Sequence, residues 1–530
     1  MSKQRMRLGR SGLGLFLAAA IFFVTAAQAQ LASPQMVGSQ SEKKISPEQE
    51  RKLLSLVDEL LKFSSGETGL AIHSSVKREI VSRAQVERYI KQKFEEDEGA
   101  KRMQRDEIVL KKFGLLDRDF NLKPFLLALL KEQIAAYYDD KTKTVSMLDW
   151  VEVEDQKMVL AHELTHALQD QHSDLEKWNN QTPDTVSHNA GEDRDHLAKD
   201  EMDTAREAVV EGQATAVMMD YKLKPMGKSL VKDPEVMELI KQQMSGSEDS
   251  PVLARAPLLL SESMLFPYRE GLSFEQDVWM DEGQKAAFAG ALDRPPASSW
   301  EIINPREYEK RHASAVPLLP NIHPLLDKLY APYDIGQIGQ LDVRILTELF
   351  GGEQVASDLT PAWDGGLYWA GQRRSAKTAQ EQSRTDSIAL FYLLAWKNAA
   401  STEAFVHVYA DELGRKYSGL KRDPEAESAG AAELPSGETE QVYSTSEGPV
   451  VITTRGKLVF VAESFPLDVA RKLTALVLDA QGSGELQMAV GAPRAVDVAG
   501  REPLTAGLVR LFSECGVMKA VVEAGRSAER

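Results

Sequence analysis

The stretch Val159-Leu160-Ala161-His162-Glu163-Leu164-Thr165-His166-Ala167-Leu168-Gln169-Asp170-Gln171-His172 leaves the chain around it little freedom. Leu160, Leu164, Ala167, Leu168 and Gln171 recur at helical spacing, and no Gly or Pro interrupts the run, so a helix is expected here. On a helix His162 and His166 stand one turn apart on one face, where two imidazoles can converge on one metal ion. Glu163, beside the first of them, is placed to take a proton from a water molecule at that metal. This is the general-base position of a zinc hydrolase, so Zn²⁺ is the expected cofactor. Two ligands do not make a site.

A catalytic zinc ion usually takes three protein ligands and keeps a fourth position for water. Downstream, Ala205-Arg206-Glu207-Ala208-Val209-Val210-Glu211-Gly212-Gln213-Ala214-Thr215-Ala216 also reads as helix, with Glu207 and Glu211 one turn apart. A Glu buried in so apolar a stretch needs a partner, and a metal would provide one.

Here the residues resemble a family. His162 to Asp170 looks like the active helix of thermolysin-type metallopeptidases of the gluzincin group, whose third ligand is a Glu on a following helix. Glu211-Gly212-x-Ala214 resembles the Glu-Gly-x-Ala of gluzincin aminopeptidases, which makes Glu211 the ligand. The other register matches Glu207-Ala208-x-x-Glu211 to the thermolysin-type Glu-Ala-x-x-Asp and would make Glu207 the ligand. Glu211 is favoured, because Gly212 would let its helix pack close to the metal helix. The resemblance implies a zincin-like core. The polar segment Ser173–Thr204 is longer than the usual gluzincin spacer, and its His188 and His196 are expected on a solvated loop. Over most of its length the chain also resembles uncharacterised secreted bacterial proteins with a His-Glu-Leu-x-His-Ala-Leu-Gln-Asp-Gln signature.

Asp170 falls one turn after His166. It either fixes a histidine tautomer or is a solvated acid at the helix end; His172 is expected to be a polar residue of that end. A zinc peptidase also needs a donor for the developing oxyanion. Tyr268, in Phe266-Pro267-Tyr268-Arg269-Glu270-Gly271, is the catalytic candidate, with His323 and then Tyr333 behind it.

At 530 residues the chain can bury one large core or two to three domains. Its net charge of −17 argues against nucleic acid or an anionic membrane surface as partner. The single cysteine, Cys515, excludes an intrachain disulfide and a Cys-based metal site. Lys3, Arg5, Arg7 and Arg10 precede an apolar run from Leu13 to Ala27, and Ala27-Gln28-Ala29 fits a small-x-small cleavage site. Residues 1–29 are therefore expected to be a secretory signal removed after Ala29. The run is short for an uncleaved anchor, and no stable membrane insertion is expected afterwards. The mature chain is expected in a periplasm or outside the cell.

The expected fold class is α+β and predominantly α-helical, with a small antiparallel sheet beside the metal helix. Residues 30–45 read as a disordered linker. Residues 46–420 read as the helical catalytic region, with its metal core at about 134–275; residues 421–441 as a flexible acidic insertion; residues 442–530 as a hairpin plus helices. Ser46-Pro47-Glu48-Gln49 opens the first helix with a capping-box pattern. Residues 135–148 read as a hairpin, whose second strand, Thr144–Leu148, is either the edge that pairs with extended substrate or an internal strand. The region 331–420 reads as predominantly helical, with Trp363–Trp369 as a Gly-rich aromatic turn. Val450–Thr454 and Lys457–Glu463 form a hairpin, and residues 466–479 an amphipathic helix.

The functional expectation is an exported zinc metallopeptidase acting on peptide or protein, with His162, His166 and Glu211 as ligands and Glu163 as base. The alternatives are a catalytically silent zinc-stabilised envelope protein and a zinc hydrolase of a non-peptide amide or ester.

Overall fold

Ser46 starts the first helix by a closed capping box. Its hydroxyl oxygen accepts from the Gln49 N–H, and the Gln49 side chain accepts from the Ser46 N–H, ahead of Pro47. The computed structural model describes residues 44–96, 98–178, 187–244, 250–431, 434–481, 505–516 and 518–527. The expected export signal and residues 30–43 of the expected linker lie outside the described residues. Among the described residues no helix is long and apolar enough to cross a membrane.

The class is α+β with helices in the majority. Helices α1 (Pro47–Thr68), α2 (Arg83–Glu96), α3 (Glu98–Phe113) and α4 (Leu122–Gln133) lead to α5 (Val153–Ser173), which carries the His-Glu-x-x-His residues. Helices α6 (Ala190–Leu197), α7 (Met202–Leu223) and α8 (Leu258–Glu282) follow. Later come α9 (Gln340–Gly351), α10 (Ala399–Lys416), α11 (Pro424–Ala431), α12 (Leu467–Ala480) and α13 (Ala506–Glu514). Helix α7 packs against α5 and, more extensively, against α8.

A small sheet borders α5. Its strands are β1 (Lys77–Val81), β2 (Tyr137–Asp139) and β3 (Thr144–Leu148), in the order β1-β3-β2. The β2–β3 pair is the expected antiparallel hairpin, but β1 pairs with β3 in parallel, so the sheet is mixed. Thr144–Leu148 is thus its central strand, hydrogen-bonded on both sides, and cannot be an edge for substrate. A strand lined by apolar residues on one face looks the same from sequence at an edge or in the middle.

The larger sheet has seven antiparallel strands in the order β4-β5-β6-β10-β9-β8-β7. They are β4 (Tyr330–Gln337), β5 (Trp363–Arg373), β6 (Ile388–Trp396), β7 (Lys421–Arg422), β8 (Glu438–Ser444), β9 (Val450–Arg455) and β10 (Leu458–Glu463). This corrects the helical reading of 331–420. Trp363–Trp369 is strand with a bulge before Gly365, not a turn. Residues 421–441, expected as a flexible acidic insertion, contain regular elements. They supply β7, α11 and the start of β8, and their acids meet cations: Glu427 pairs with Arg422, Glu438 with Arg455 and Glu440 with Arg471. Since β6 pairs with β10, the sheet runs through the expected boundary between the catalytic and C-terminal regions. The hairpin β9–β10 and helix α12 stand where the sequence expects them.

The sheet separates two apolar cores. Ile388, Leu390, Tyr392, Leu394 and Trp396 of β6 join the core shared with the helices; Ala389, Phe391, Leu393 and Ala395 join a second core under α12.

One contact fixes the helical half. A Cβ on Gly212 of α7 would lie 2.3 Å from the Gly271 carbonyl of α8, and one on Gly271 would lie 2.1 Å from the Ala208 oxygen. The two helices therefore cross backbone against backbone. Gly212 permits close packing as expected, but against α8 rather than the metal helix. The crossing sets Glu211 and Tyr268, one residue before Gly212 and one turn before Gly271, toward the same place.

Candidate metal centre

Helix α5 enters the core with His162, Glu163 and Glu211 of the neighbouring α7 each about 1% exposed, and His166 at 9%. His162 Nε2 is 2.9 Å from His166 Nε2 and 3.0 Å from Glu211 Oε2; His166 Nε2 is 3.6 Å from that same oxygen. Tetrahedral bonds of about 2.0–2.1 Å to a zinc ion put their donor atoms about 3.3 Å apart, so the three atoms span a triangle of the right size for one face of such a site. The donor set, two imidazoles and a carboxylate, is also that of a catalytic zinc. The residues present fit the metal.

Glu211 rather than Glu207 completes the triangle. Its other oxygen, Oε1, lies 2.5 Å from Ser513 Oγ, and that hydroxyl lies 2.6 Å from Glu207 Oε2. Ser513 thus sits between the two carboxylates, with one hydroxyl hydrogen to give, and Glu211 Oε2 is left to the histidines. It comes from α13, which packs on α7 and α8. No local pattern could have announced a partner 302 positions away.

A ligating histidine needs its other nitrogen protonated and held. For His166 the holder is Gln169, one turn on, whose Oε1 lies 2.9 Å from Nδ1. The Gln169 amide in turn donates to the Val210 carbonyl and to Gln213 Oε1, and Gln213 donates to the carbonyls of Ala287 and Phe288. This chain of amides ties α5, α7 and the turn after α8 into one support. His162 has no such holder: its Nδ1 is buried and makes no hydrogen bond. Asp170 holds neither ring. Its carboxylate accepts from the Tyr138 hydroxyl, the Lys143 ammonium and the Leu175 N–H, tying the β2–β3 hairpin to the end of α5. His172 sits at that end beside Asp293, as expected.

The electrostatics follow from burial among like and unlike charges. Burial, reinforced by His166, pushes His162 down to about 4. Burial also disfavours charge on His166, but Glu211 outweighs it and raises the ring to about 9. Burial works equally against Glu211, whose carboxyl the two imidazoles hold below the ordinary range. Glu163 is raised to about 7, chiefly by burial; His166 and the Tyr138 backbone N–H oppose the shift. Its Oε1 is buried and has no hydrogen-bond partner.

Tyr268 belongs to this group. Pro267 and Tyr268 both lie inside α8. The Tyr268 ring stacks at 6.3 Å from His162, and its buried hydroxyl lies beside Glu211, outside hydrogen-bonding geometry. Burial, with the nearby Glu211 and Glu163, keeps it protonated. His323 is elsewhere, between Asp193 and Asp327, and Tyr333 lies in β4. His196 is not on a solvated loop: it is buried in α6 beside Asp200.

A cavity of about 430 Å³ is lined by Val76, Tyr138, Lys143, Asp170 and Gln171 among others. No family model, no curated protein and no solved structure matches the chain.

Proposed function

We propose that the chain is an exported zinc-dependent metallopeptidase with a zincin-like core, of gluzincin type. The observation that carries this reading is the convergence of His162 Nε2, His166 Nε2 and Glu211 Oε2, with the partnerless Glu163 oxygen one residue from the first of them. Zinc bound there would supply Lewis acidity for a carbonyl and acidify a water molecule.

The residues then divide the work. Gln169 holds the proton on His166 Nδ1 and so keeps Nε2 free to ligate. Glu163 accepts the proton of the attacking water as the C–O bond forms, and passes it to the amine nitrogen as the C–N bond breaks. The Tyr268 hydroxyl, kept protonated and uncommitted, donates to the developing oxyanion. Enclosure by protein strengthens each of these interactions.

The test is the zinc content of the mature protein, residues 30–530, beside its Glu211→Ala and Glu207→Ala variants. Zinc at the centre that is lost with Glu211 and kept with Glu207 supports the site. Zinc that survives Glu211→Ala there would refute it.

A second reading, a silent zinc-stabilised envelope protein, draws on the enclosure itself, because Ser513 of α13 sits on Glu211. A panel of unstructured peptides separates the two. Cleavage that requires Glu163 supports the peptidase; zinc without cleavage supports the silent site.

A further inference from the structure

A second convergence of imidazoles and carboxylates lies outside the first centre. His188 precedes α6, and His323 opens the short helical turn His323–Leu326, which Asp327 closes. His188 Nδ1 is 2.7 Å from Asp327 Oδ2, and His323 Nδ1 is 3.2 Å from Asp327 Oδ1. The two rings lie 6.0 Å apart, and one donor atom from each of the three residues falls within 4.8 Å of the others. We propose that His188, His323 and Asp327 form a second site for a divalent cation of borderline softness, such as Zn²⁺ or Co²⁺.

The argument turns on the far nitrogen of His323. Its Nε2 lies 2.9 Å from Asp193 Oδ2, and both residues are buried, at 6% and 2% exposed. A carboxylate there takes the proton on Nε2 and leaves a lone pair on Nδ1, aimed where His188 and Asp327 also point. This carboxylate–histidine–metal arrangement orients metal-ligating imidazoles generally. The same role falls to Gln169 at the first centre, by an amide instead of an acid.

The rest of the surroundings agrees. Arg374 donates to the main-chain carbonyl of Asp327, which holds the backbone and leaves the carboxylate to the imidazoles. The three ligands, two nitrogens and an oxygen, suit zinc or cobalt rather than calcium or magnesium, which prefer all-oxygen shells. His188 is more than half exposed, so the site opens to water and can fill from solution. A cation there would clip the segment leading into α6 to the turn that precedes β4.

The experiment uses the metal-free mature protein, equilibrated with buffered free Zn²⁺ and counted for bound metal after gel filtration. The expected counts are two per chain in the wild type and one in each of His188→Ala, Asp327→Ala and Glu211→Ala. The His188→Ala/Glu211→Ala double variant should hold none. Asp193→Asn, a positioning change, should weaken the second site by about 10–100-fold while keeping its stoichiometry. Repeating the titration with Co²⁺ gives an absorption band for each site, which a general loss of fold would not remove selectively. A His188→Ala protein that binds as much zinc as the wild type overturns the proposal. That outcome leaves the first centre untouched, whereas loss with His188 and none with Glu211 would defeat the first centre alone.

Discussion

Two of the places where this molecule buries carboxylates handle the charge in opposite ways. On the large sheet, Glu463 is 0% exposed and meets the Lys416 ammonium at 2.6 Å, with the hydroxyls of Tyr409 and Tyr417 on its oxygens. Nearby Lys112, also fully buried, pairs with Glu447 at 2.7 Å and with Ser464. Each charge there is answered by a permanent charge of the other sign. Beside α5 Glu211 is met by imidazoles and the Ser513 hydroxyl, and Glu163 keeps an oxygen with no partner. The first pattern is closed and needs nothing further. The second puts acceptors around a point, and a cation is what such a geometry is suited to hold.

The comparison breaks most easily at Glu163. Glu163→Gln keeps the volume but cannot accept a proton, so turnover should fall by about 10²–10⁴-fold with zinc content unchanged. Single-turnover peptide cleavage with parallel metal analysis reads both; wild-type rates in the variant would end the mechanism.

Lys416→Met is the matching cut on the sheet. It leaves Glu463 buried without its cation and should cost about 3–5 kcal/mol in urea unfolding. Adding Glu463→Leu should recover most of that loss, because a closed pair can be exchanged for apolar packing. No such rescue is expected between Glu211 and His162, where removal of both still abolishes zinc binding at that centre.

Gln169→Ala removes the support of His166 without touching a ligand. Zinc affinity should weaken by about 10–100-fold, measured by chelator competition, with the fold intact by circular dichroism. An unchanged affinity would mean the amide chain is packing only.

The smallest effect is a pH dependence at Glu270, on α8. Burial disfavours its charge, but Arg344 and Arg269 outweigh this and lower the carboxyl to about 2. The folded value lies below the unfolded one, so the contribution is fully present above about pH 4.5 and is lost as pH falls toward 2. With some solvent reaching the pair, about 2 kcal/mol is at stake. Glu270→Gln should lower stability at pH 6 and flatten the acid limb between pH 4.5 and 2. Equal acid limbs in the two proteins would remove Glu270 from the comparison.

Much of the first centre is legible in sequence because one turn of helix puts fixed spacings on one face. His162, Glu163 and His166 need only that rule; it leaves Glu207 and Glu211 level, and the resemblance to Glu-Gly-x-Ala favours Glu211. Gln169 obeys the rule too, at three residues from His166, but its neighbour Asp170 carries the more eye-catching charge. The charge of Asp170 goes instead to Lys143 and Tyr138, which only the folded hairpin brings near. Ser513 is invisible for a different reason: its partners are reached through tertiary packing alone. In the fold, the hairpin β9–β10 announces itself by β-branched runs around Arg455-Gly456. Strand β6, Ile388–Trp396, does not, because every residue in it is buried and the run has no period to read.

The crossing at Gly212 and Gly271 has a consequence for how this protein can change over generations. Every other residue carries a Cβ, and at either position that atom would land on main chain of the opposite helix. Neither site can be relieved by trimming a neighbour, since glycine already faces glycine. The two positions should therefore stand still in any lineage that keeps Glu211 and Tyr268 at the centre. Where one of them has drifted, the whole helix pair has moved, and the metal site with it.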